Sequence, residues 1–192
     1  KVMSTTLPTL PAGYEIKSGQ NISGFNSSNL QVLPSDATAD TKIILVSKKE
    51  SLNQGTSQTV TFVGAGKNTP ATKVQNDFVF TGTKDMVSGV SIWDMSSHRY
   101  SSVPVPVVPG YIADKSQAGQ LEVTVATPNV EELVSYTPVG RIILVDETGN
   151  QIVGTIAVPY NHASDPTKVE STTLPTLPAG YEIKSGQNIP GF

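Results

Sequence analysis

Three short segments of the chain place an apolar side chain at every second position, which is the period of a β-strand with one buried face. They are residues 58–63, 89–94 and 121–125, where valine, leucine, isoleucine or phenylalanine alternates mainly with threonine, serine or glutamate. β-Branched and aromatic residues also fit the pleated surface of a sheet well. The pattern therefore predicts three strands in the middle of the chain.

Two other segments are apolar without alternation. Residues 42–47 read Lys-Ile-Ile-Leu-Val-Ser, and residues 141–146 read Arg-Ile-Ile-Leu-Val-Asp. Unbroken β-branched runs are typical of strands covered on both faces, such as central parallel strands. Their likeness predicts that the two lie side by side in one sheet. The second run continues through a glycine-bearing turn at residues 146–150 into residues 151–156, and this order predicts a β-hairpin.

Little of the sequence favours a helix. Four prolines lie between residues 159 and 178, and a proline inside a helix costs roughly 3 kcal/mol. At most a turn or two of helix fits there, in residues 165–170, and residues 129–133 are the best candidate in the middle of the chain. With 16 glycines and 14 prolines to punctuate strands, we expect a mainly β protein, α+β with minimal helix.

The first and last 25 residues of the chain are nearly the same. Twenty-three of the 25 positions match at an offset of 167 residues. This indicates one full period of a tandem array followed by the opening of the next copy. Arrays of this kind gain avidity from many copies of one weak site, although a repeat can also serve only as a spacer. Residues 1–25 and 168–192 differ at Met3 against Glu170 and at Ser23 against Pro190.

The repeat divides the chain into an elongated two-module unit. Residues 57–139 are expected to form one complete β module, whereas a first kind of module is cut in two. Residues 140–192 would carry its N-terminal part and residues 1–50 its C-terminal part. An unpaired apolar edge strand invites aggregation. We therefore predict that the cut ends pair, residues 42–46 with residues 141–145, within one chain or with a neighbouring molecule.

Charge and cysteine content argue against several classes of function. There are 13 Lys and Arg against 16 Asp and Glu, a net charge of −3, without a basic cluster, so nucleic acid is not an expected partner. Membrane insertion is not expected either, because no segment approaches the roughly 18 apolar residues of a spanning helix. The absence of cysteine removes disulfides, thiolate nucleophiles and Cys-ligated zinc, and it favours a bacterial or cytosolic protein.

Constellations suited to catalysis or to a metal are weak. Neither histidine has a second ligand at zinc spacing, and Asp94, Ser97 and His98 lack the Gly-x-Ser-x-Gly elbow of a hydrolase triad. Residues 64–68, Gly-Ala-Gly-Lys-Asn, depart from a phosphate-binding loop. The turn from Asp146 to Asn150 offers oxygen ligands for weak calcium binding, but a solvated hairpin turn explains it equally well. We therefore predict neither an enzyme nor a metal site.

Residues 93–100 combine the groups that bind carbohydrate. Sugars stack their C–H faces on aromatic rings, and their hydroxyls need hydrogen-bonding side chains. Trp93 and Tyr100 supply rings, Arg99 supplies a cation for sialic or sulfated sugars, and Tyr111 is expected nearby. Trp93, Arg99, Tyr100 and Tyr111 are therefore the predicted ligand contacts. The alternative is that the aromatic side chains fill the core of the module.

Ordered patterns of valine, threonine, aromatic residues and Gly-Tyr pairs run through most of the chain. In the order in which they occur, they resemble the mucus-binding (Mub, or MucBP-related) repeats of Gram-positive cell-surface adhesins. The cut module carries the likeness in residues 143–149 and 177–181. In the middle module it lies in residues 58–62, 89–93, Tyr100, Val103, Pro106, Val107, 109–111 and 134–136.

This resemblance implies an extracellular, cell-wall-anchored protein whose many repeats bind host mucin glycoproteins through multivalency. It implies β-grasp-like modules, in which a helix crosses a mixed sheet. Because helix is scarce here, an Ig-like β-sandwich stays open for the middle module. Neighbouring repeats of the same chain and immunoglobulins are further implied partners. The alternatives to mucin binding are a passive stalk and a module that lends a sheet edge to an immunoglobulin strand.

Overall fold

The computed structural model describes residues 5–20, 22, 24–26, 31–33, 38–170 and 172–187. Helical structure within these ranges is a three-residue 3-10 turn at Gly66–Asn68, and no described helix is long enough to cross a membrane. The regular structure is otherwise short strands, which confirms the mainly β prediction. In chain order they are β1 (Thr5–Thr6), β2 (Tyr14–Ile16), β3 (Phe25–Asn26), β4 (Gln31–Val32), β5 (Leu45–Ser47), β6 (Lys49–Gly55), β7 (Ser57–Val63), β8 (Lys73–Gln75), β9 (Val79–Asp85), β10 (Ser91–Trp93), β11 (Ser97–Arg99), β12 (Ser102–Pro104), β13 (Tyr111–Ala113), β14 (Gln117–Gly119), β15 (Glu122–Thr124), β16 (Asn129–Pro138), β17 (Arg141–Ile142) and β18 (Val158–Pro159).

The chain divides into two compact units. Unit 1 comprises residues 1–54 and 79–96, and unit 2 comprises residues 55–78 and 97–192. Residues 79–96 therefore group with the N-terminal part of the chain and not with the strands that flank them in sequence. The module boundaries inferred from the repeat stay a prediction.

Unit 2 is built around a four-stranded mixed sheet with the order β13-β16-β7-β8. The two central strands, β7 and β16, are the first and the last of this sheet along the chain, and they run parallel over seven residue pairs. The outer strands pair antiparallel to them. β7 alternates as its sequence predicts, with Gln58, Val60 and Phe62 buried. A mixed sheet differs from the antiparallel sheets of an Ig-like sandwich. No helix crosses this sheet in the described residues, so a β-grasp-like module stays a prediction.

The core of unit 2 lies on one face of this sheet. Val60 and Phe62 of β7 project to the same side as Val134 and Tyr136 of β16, because the parallel register sets Val134 beside Phe62. Burial of these side chains removes their apolar surface from water, which is the main stabilising contribution to the unit. The cluster is completed by Ala65, Val103, Val105, Val108, Ala113 and Ala118. Two antiparallel ribbons, β11-β15 and β12-β14, also belong to unit 2.

Unit 1 contains three small sheets, β2-β5, β1-β4-β3 and β10-β9-β6. Asp85, at the end of β9, connects two of them. Its Oδ2 accepts hydrogen bonds from Lys49 Nζ at 2.5 Å and from Ser47 Oγ at 2.6 Å, while its Oδ1 accepts from the backbone amides of Val87 and Ser88 at 2.9 Å each. The ammonium of Lys49, followed by these hydrogen bonds, holds the pKa of the Asp85 carboxyl far below its ordinary value.

The prediction that the two unbroken apolar runs, residues 42–47 and 141–146, are adjacent central strands of one sheet was wrong. β5 covers residues 45–47 and pairs with β2, while β17 covers residues 141–142 and pairs with β18, so residues 42–46 and 141–145 do not pair within the chain. Neither run is covered on both faces, because Ile44 and Val145 are about half exposed. An apolar run is also compatible with a short edge segment, and periodicity alone cannot distinguish the two.

Two local predictions also need correction. Residues 129–133, the helix candidate, begin the ten-residue strand β16, and residues 165–170 contain a turn and no helix. The hairpin turn after β17 is present, since Val145 bridges Gln151 across it. Residues 151–156 do not continue as a strand, however, and Val153 is 96% exposed. The strand that returns along β17 is β18, further along the chain.

Candidate functional site

The ribbon formed by β11 and β15 has one polar and one aromatic face. Its antiparallel register sets Ser97 opposite Thr124, His98 opposite Val123 and Arg99 opposite Glu122. Because side chains alternate along a strand, the two outer pairs share one face and the middle pair lies on the other. The outer face therefore presents two hydroxyls, a guanidinium and a carboxylate. We name Ser97, Arg99, Glu122 and Thr124 the polar ribbon face.

Arg99 is the most exposed cation on this face and is held by two partners. Its Nη1 donates to the carbonyl of Gln120 at 2.7 Å, and its Nη2 donates to Glu122 Oε2 at 3.1 Å. The guanidinium side chain is 63% exposed and its carboxylate partner 48% exposed, so solvent screens the pair and its contribution to stability is small. The guanidinium is thus restrained without being buried.

Gln120 carries backbone strain next to this cation. Its φ of 57° is the single positive value among the described non-glycine residues. A left-handed conformation costs a residue with a Cβ roughly 1–2 kcal/mol, and such strain is common at binding sites. Here the strained residue supplies the carbonyl that holds Arg99. The left-handed residue and the arginine are thus joined by one hydrogen bond.

Tyr100 is a core residue in this structure. It is 4% exposed, its hydroxyl is 2.7 Å from Thr56 Oγ1, and its ring meets His98 edge to face at 5.0 Å between centroids. His98 in turn stacks on Phe78 at 3.8 Å. A sugar cannot stack on a ring that is already covered. The interpretation of Tyr100 as a ligand contact is therefore corrected to the alternative, core packing.

Tyr111 is half-buried and packs against the core cluster of unit 2. Its backbone is fixed on both sides, since its amide donates to the Val108 carbonyl at 3.0 Å and its carbonyl accepts from Asn161 Nδ2 at 2.7 Å. Asn161 also accepts from the Gly110 amide at 2.6 Å. A residue 50 positions away thus positions Tyr111, and the sequence offered no local signal for it.

Trp93 belongs to unit 1, unlike the other three predicted contacts. It lies on β10 opposite Gly82 of β9. A Cβ added to Gly82 would lie 3.1 Å from Trp93 Cε3 and 2.5 Å from the Ile92 carbonyl, so the indole occupies the space that the glycine leaves on the sheet. The side chain is half-buried, and this cross-strand packing stabilises the hairpin. A ligand role for the exposed part of the ring stays a prediction.

The catalytic arrangements considered from the sequence are not formed. Ser97 and His98 are consecutive strand residues on opposite faces of the ribbon, and Asp94 accepts a hydrogen bond from Thr81 within unit 1. Residues 64–68 end in the 3-10 turn Gly66–Asn68. Gly64, before that turn, approaches the Tyr136 carbonyl so closely that a Cβ would lie 2.2 Å from it. Glycine is therefore required there for packing against β16 and not for binding phosphate.

One carboxylate oxygen of Asp146 accepts hydrogen bonds from other residues of the same turn. Asp146 Oδ1 accepts from the hydroxyl of Thr148 at 2.6 Å, from the Thr148 amide at 2.9 Å and from the Asn150 amide at 3.0 Å. These hydrogen bonds, led by the Thr148 hydroxyl, lower the pKa of the Asp146 carboxyl. They stabilise the turn itself. Across the described ranges, no three His, Cys, Asp or Glu residues are grouped for a metal.

Comparison with known proteins finds a family match in the middle of the chain. Residues 47–140 match the family model of the Muc B2-like domain, whereas no curated protein matches the chain. Among solved structures, the chain is similar to a MucBP domain of a Lactobacillus acidophilus protein, with 25% identity and a TM-score of 0.35 over 47% of this chain and 97% of that one.

Two further solved structures show the same kind of similarity. One is the mucin-binding domain of Spr1345 from Streptococcus pneumoniae, with 17% identity and a TM-score of 0.39 over 49% of this chain and 99% of that one. The other is the type 2 repeat of the mucus binding protein MUB from Lactobacillus reuteri, with 19% identity and a TM-score of 0.36 over 66% and 76%. All of these TM-scores are under 0.5, so the fold described above rests on the strands of this chain alone.

Proposed function

We propose that this chain, whose residues 47–140 match the model of the Muc B2-like domain, is an adhesion repeat that binds mucin glycans outside a bacterial cell. The family match is the observation that carries the proposal. Binding is weak in each copy and becomes useful through the tandem repetition visible in the sequence. Attachment to the cell wall and contact with neighbouring repeats belong to the same proposal, as does the absence of catalysis.

The polar ribbon face is the surface proposed for glycan contact. It offers charge and hydroxyl groups with little obstruction, and Arg99 is already restrained by its two partners. Ordering a long side chain on binding normally costs about 0.5–1.5 kcal/mol, and that cost is reduced where the side chain is already held. Mucin glycans that end in sialic acid or sulfate carry the anion that a guanidinium binds well.

Substituting Arg99 and substituting its ion-pair partner Glu122 should change mucin binding in opposite directions. Arg99→Gln removes the cation and should weaken binding to sialylated or sulfated mucin about tenfold, because a hydrogen bond to a charged group contributes roughly 1.5–3 kcal/mol. Glu122→Gln removes the competing carboxylate and should strengthen the same binding. Arg141→Gln is the matched control, since Arg141 is the other arginine of the chain and is also exposed.

The experiment is binding of the single chain, and of a version with two repeats, to immobilised mucin before and after mild periodate oxidation. Glycan adhesion predicts a signal that rises steeply with the second repeat, disappears after oxidation and responds to the two ribbon variants as stated. A signal that survives oxidation and both substitutions would favour a protein partner, such as an immunoglobulin at a sheet edge. No signal with two repeats would leave a passive stalk and refute the proposal.

A further inference from the structure

Residues 160–170 fold back on themselves within unit 2. Backbone pairing joins their two arms at three levels, Tyr160 with Glu170, Asn161 with Val169 and His162 with Lys168. The first of these is a hydrogen bond of 3.0 Å from amide to carbonyl, and the third is one of 3.2 Å. The segment is therefore closed on itself as a loop. We name residues 160–170 the edge loop.

The edge loop lies against β13, which is an outer strand of the sheet β13-β16-β7-β8. The Ala113 amide of β13 donates to the Pro166 carbonyl at 2.7 Å, and Pro166 is buried. Asn161 binds the chain at the start of β13, through the Gly110 amide and the Tyr111 carbonyl. Free N–H and C=O groups on an outer strand are a template for pairing with another chain. The edge loop therefore covers part of the edge of this sheet.

The imidazole of His162 organises the tip of the edge loop. Its Nδ1 accepts from the Ser164 amide at 3.2 Å and from the Asp165 amide at 3.0 Å. A backbone amide can only donate, so Nδ1 carries no hydrogen and the ring hydrogen is on Nε2. Nε2 lies 3.8 Å from Glu170 Oε2. The observed loop therefore requires a neutral imidazole in one particular tautomer.

We propose that the edge loop is a proton-operated cover of the β13 edge, which neutral His162 holds shut and protonated His162 releases. A proton on Nδ1 points at two amide N–H groups, which then have no acceptor, so both hydrogen bonds are lost. The tip of the loop contains Pro166, whose carbonyl binds the Ala113 amide, and this contact loses its support. The device belongs to unit 2 alone and does not depend on mucin binding.

Glu170 is the charged group of the edge loop that opposes this release, because its carboxylate attracts the protonated ring. The side chains of His162 and Glu170 are 32% and 41% exposed, and an exposed ion pair contributes little. The other carboxylate of the loop does not change its charge. The Thr167 hydroxyl, followed by the Lys168 ammonium, holds the pKa of the Asp165 carboxyl far below its ordinary value.

The segments beside the edge loop carry other groups that could exchange protons. They are the phenols of Tyr111 and Tyr160 and the charged side chains of Asp114, Lys115 and Arg141. Asp114 accepts from the Ser135 amide at 3.0 Å, and Lys115 pairs with Glu132 at 2.9 Å. Carboxylates, ammonium groups, guanidinium groups and phenols ordinarily keep their charge between about pH 8 and pH 5, whereas imidazole gains one. His162 is therefore the group expected to respond in this range.

Amide hydrogen exchange of the whole chain, followed by NMR at about pH 8 and about pH 5, tests the proposal. The protection factor of the Ala113 amide reports its hydrogen bond to Pro166. It should fall about tenfold at the lower pH, because two hydrogen bonds are lost and one exposed ion pair is gained. The Leu121 amide, which donates to Gln58 in the same unit, should keep its protection and serves as the internal reference. Nitrogen NMR of the His162 ring should show Nδ1 without hydrogen at the higher pH.

Two variants separate the proton on His162 from other effects of acid. His162→Asn supplies an oxygen that can accept from amides two and three residues ahead and that gains no proton, so Ala113 should stay protected at both pH values. Glu170→Gln keeps an acceptor for the Ala163 amide but removes the charge that favours the protonated ring, so the fall should become larger.

Three results would overturn the proposal. The first is a proton on His162 Nδ1 at the higher pH. The second is a protection factor of Ala113 that does not fall, or that falls equally in His162→Asn, which leaves the other histidine of the chain, His98, unchanged. The third is a change confined to the Ser164 and Asp165 amides, since the ring would then turn away without releasing the edge.

Discussion

Gln58 is the residue whose replacement tests the architecture of unit 2 most directly. It is 1% exposed and reaches three other segments of the unit. Its Oε1 accepts from the Leu121 amide at 2.8 Å, and its Nε2 donates to the Ser101 carbonyl at 3.1 Å and to Gln75 Oε1 at 2.5 Å. Leucine fills a similar volume but removes these hydrogen bonds.

The magnitude follows from which partners can reach water. The Leu121 amide loses its partner inside the protein, and a group left unsatisfied there costs about 1–3 kcal/mol. The Ser101 carbonyl still accepts from the Gln120 amide at 3.5 Å, so it loses one hydrogen bond, at about 0.5–1.5 kcal/mol. The Gln75 side chain is partly exposed and can turn to solvent at little cost. Gln58→Leu should therefore lower the free energy of unfolding by about 1.5–4.5 kcal/mol. Gln75→Leu, the matched control, removes one hydrogen bond and should cost less than about 1.5 kcal/mol.

Urea unfolding of both variants, followed by two signals, provides the assay. Far-ultraviolet circular dichroism monitors both units, whereas the fluorescence of Trp93, the only tryptophan, monitors unit 1. The expected result is a large shift in the circular dichroism midpoint for Gln58→Leu and a small one for Gln75→Leu. A cost for Gln58→Leu below about 1 kcal/mol, or equal costs for the two variants, would refute the view that Gln58 joins these segments.

Three further changes test separate parts of the structure. Gly64→Ala should cost at least 1 kcal/mol more in thermal unfolding than Gly149→Ala, because both have φ near +90° but only Gly64 meets a backbone oxygen, that of Tyr136. Asp85 has a pKa lowered below its unfolded value of 3.8, so its stabilising contribution is complete above that value and is lost as pH falls through the lower, folded pKa. Asp85→Asn should reduce the acid sensitivity of Trp93 fluorescence below pH 3.8. Tyr100→Phe should cost about 0.5–1.5 kcal/mol and leave mucin binding unchanged, since its hydroxyl bonds to the protein interior.

The parts of the fold that depend on local pattern were predictable. The alternation in residues 58–63 placed Val60 and Phe62 on a buried face, as observed. The secondary structure of residues 129–133 was not predictable, because two consecutive glutamates and a leucine also fit a helix. What makes this segment a strand is the parallel pairing with β7, which begins 72 residues earlier at Ser57. The local period of a segment does not show which distant segment it pairs with.

In the candidate site, too, residue types could be read from the sequence, but the partners of each side chain could not. Sequence composition singled out Arg99 as a ligand contact, which stays a prediction. Its partners Glu122 and Gln120 are more than 20 residues away, and only the strand register brings them together. Tyr100 has the same composition signal as a sugar-stacking residue, yet it points to the buried side of the ribbon. One residue of offset along a strand reverses the face, so neighbours in sequence have opposite roles here.

Residues 11–20 and 178–187 have the same sequence, and they show why a turn depends on local sequence more than a strand does. Identical residues form the same two turns at residues 11–14 and 178–181 and at residues 17–20 and 184–187. They form a strand only in the copy that has β5 beside it. The turn conformation is therefore encoded within a few residues, through glycines and a glutamine side chain, whereas the strand needs a partner that the segment does not contain. The same distinction explains why the turn after Asp146 was predicted correctly and the strand expected at residues 151–156 was not.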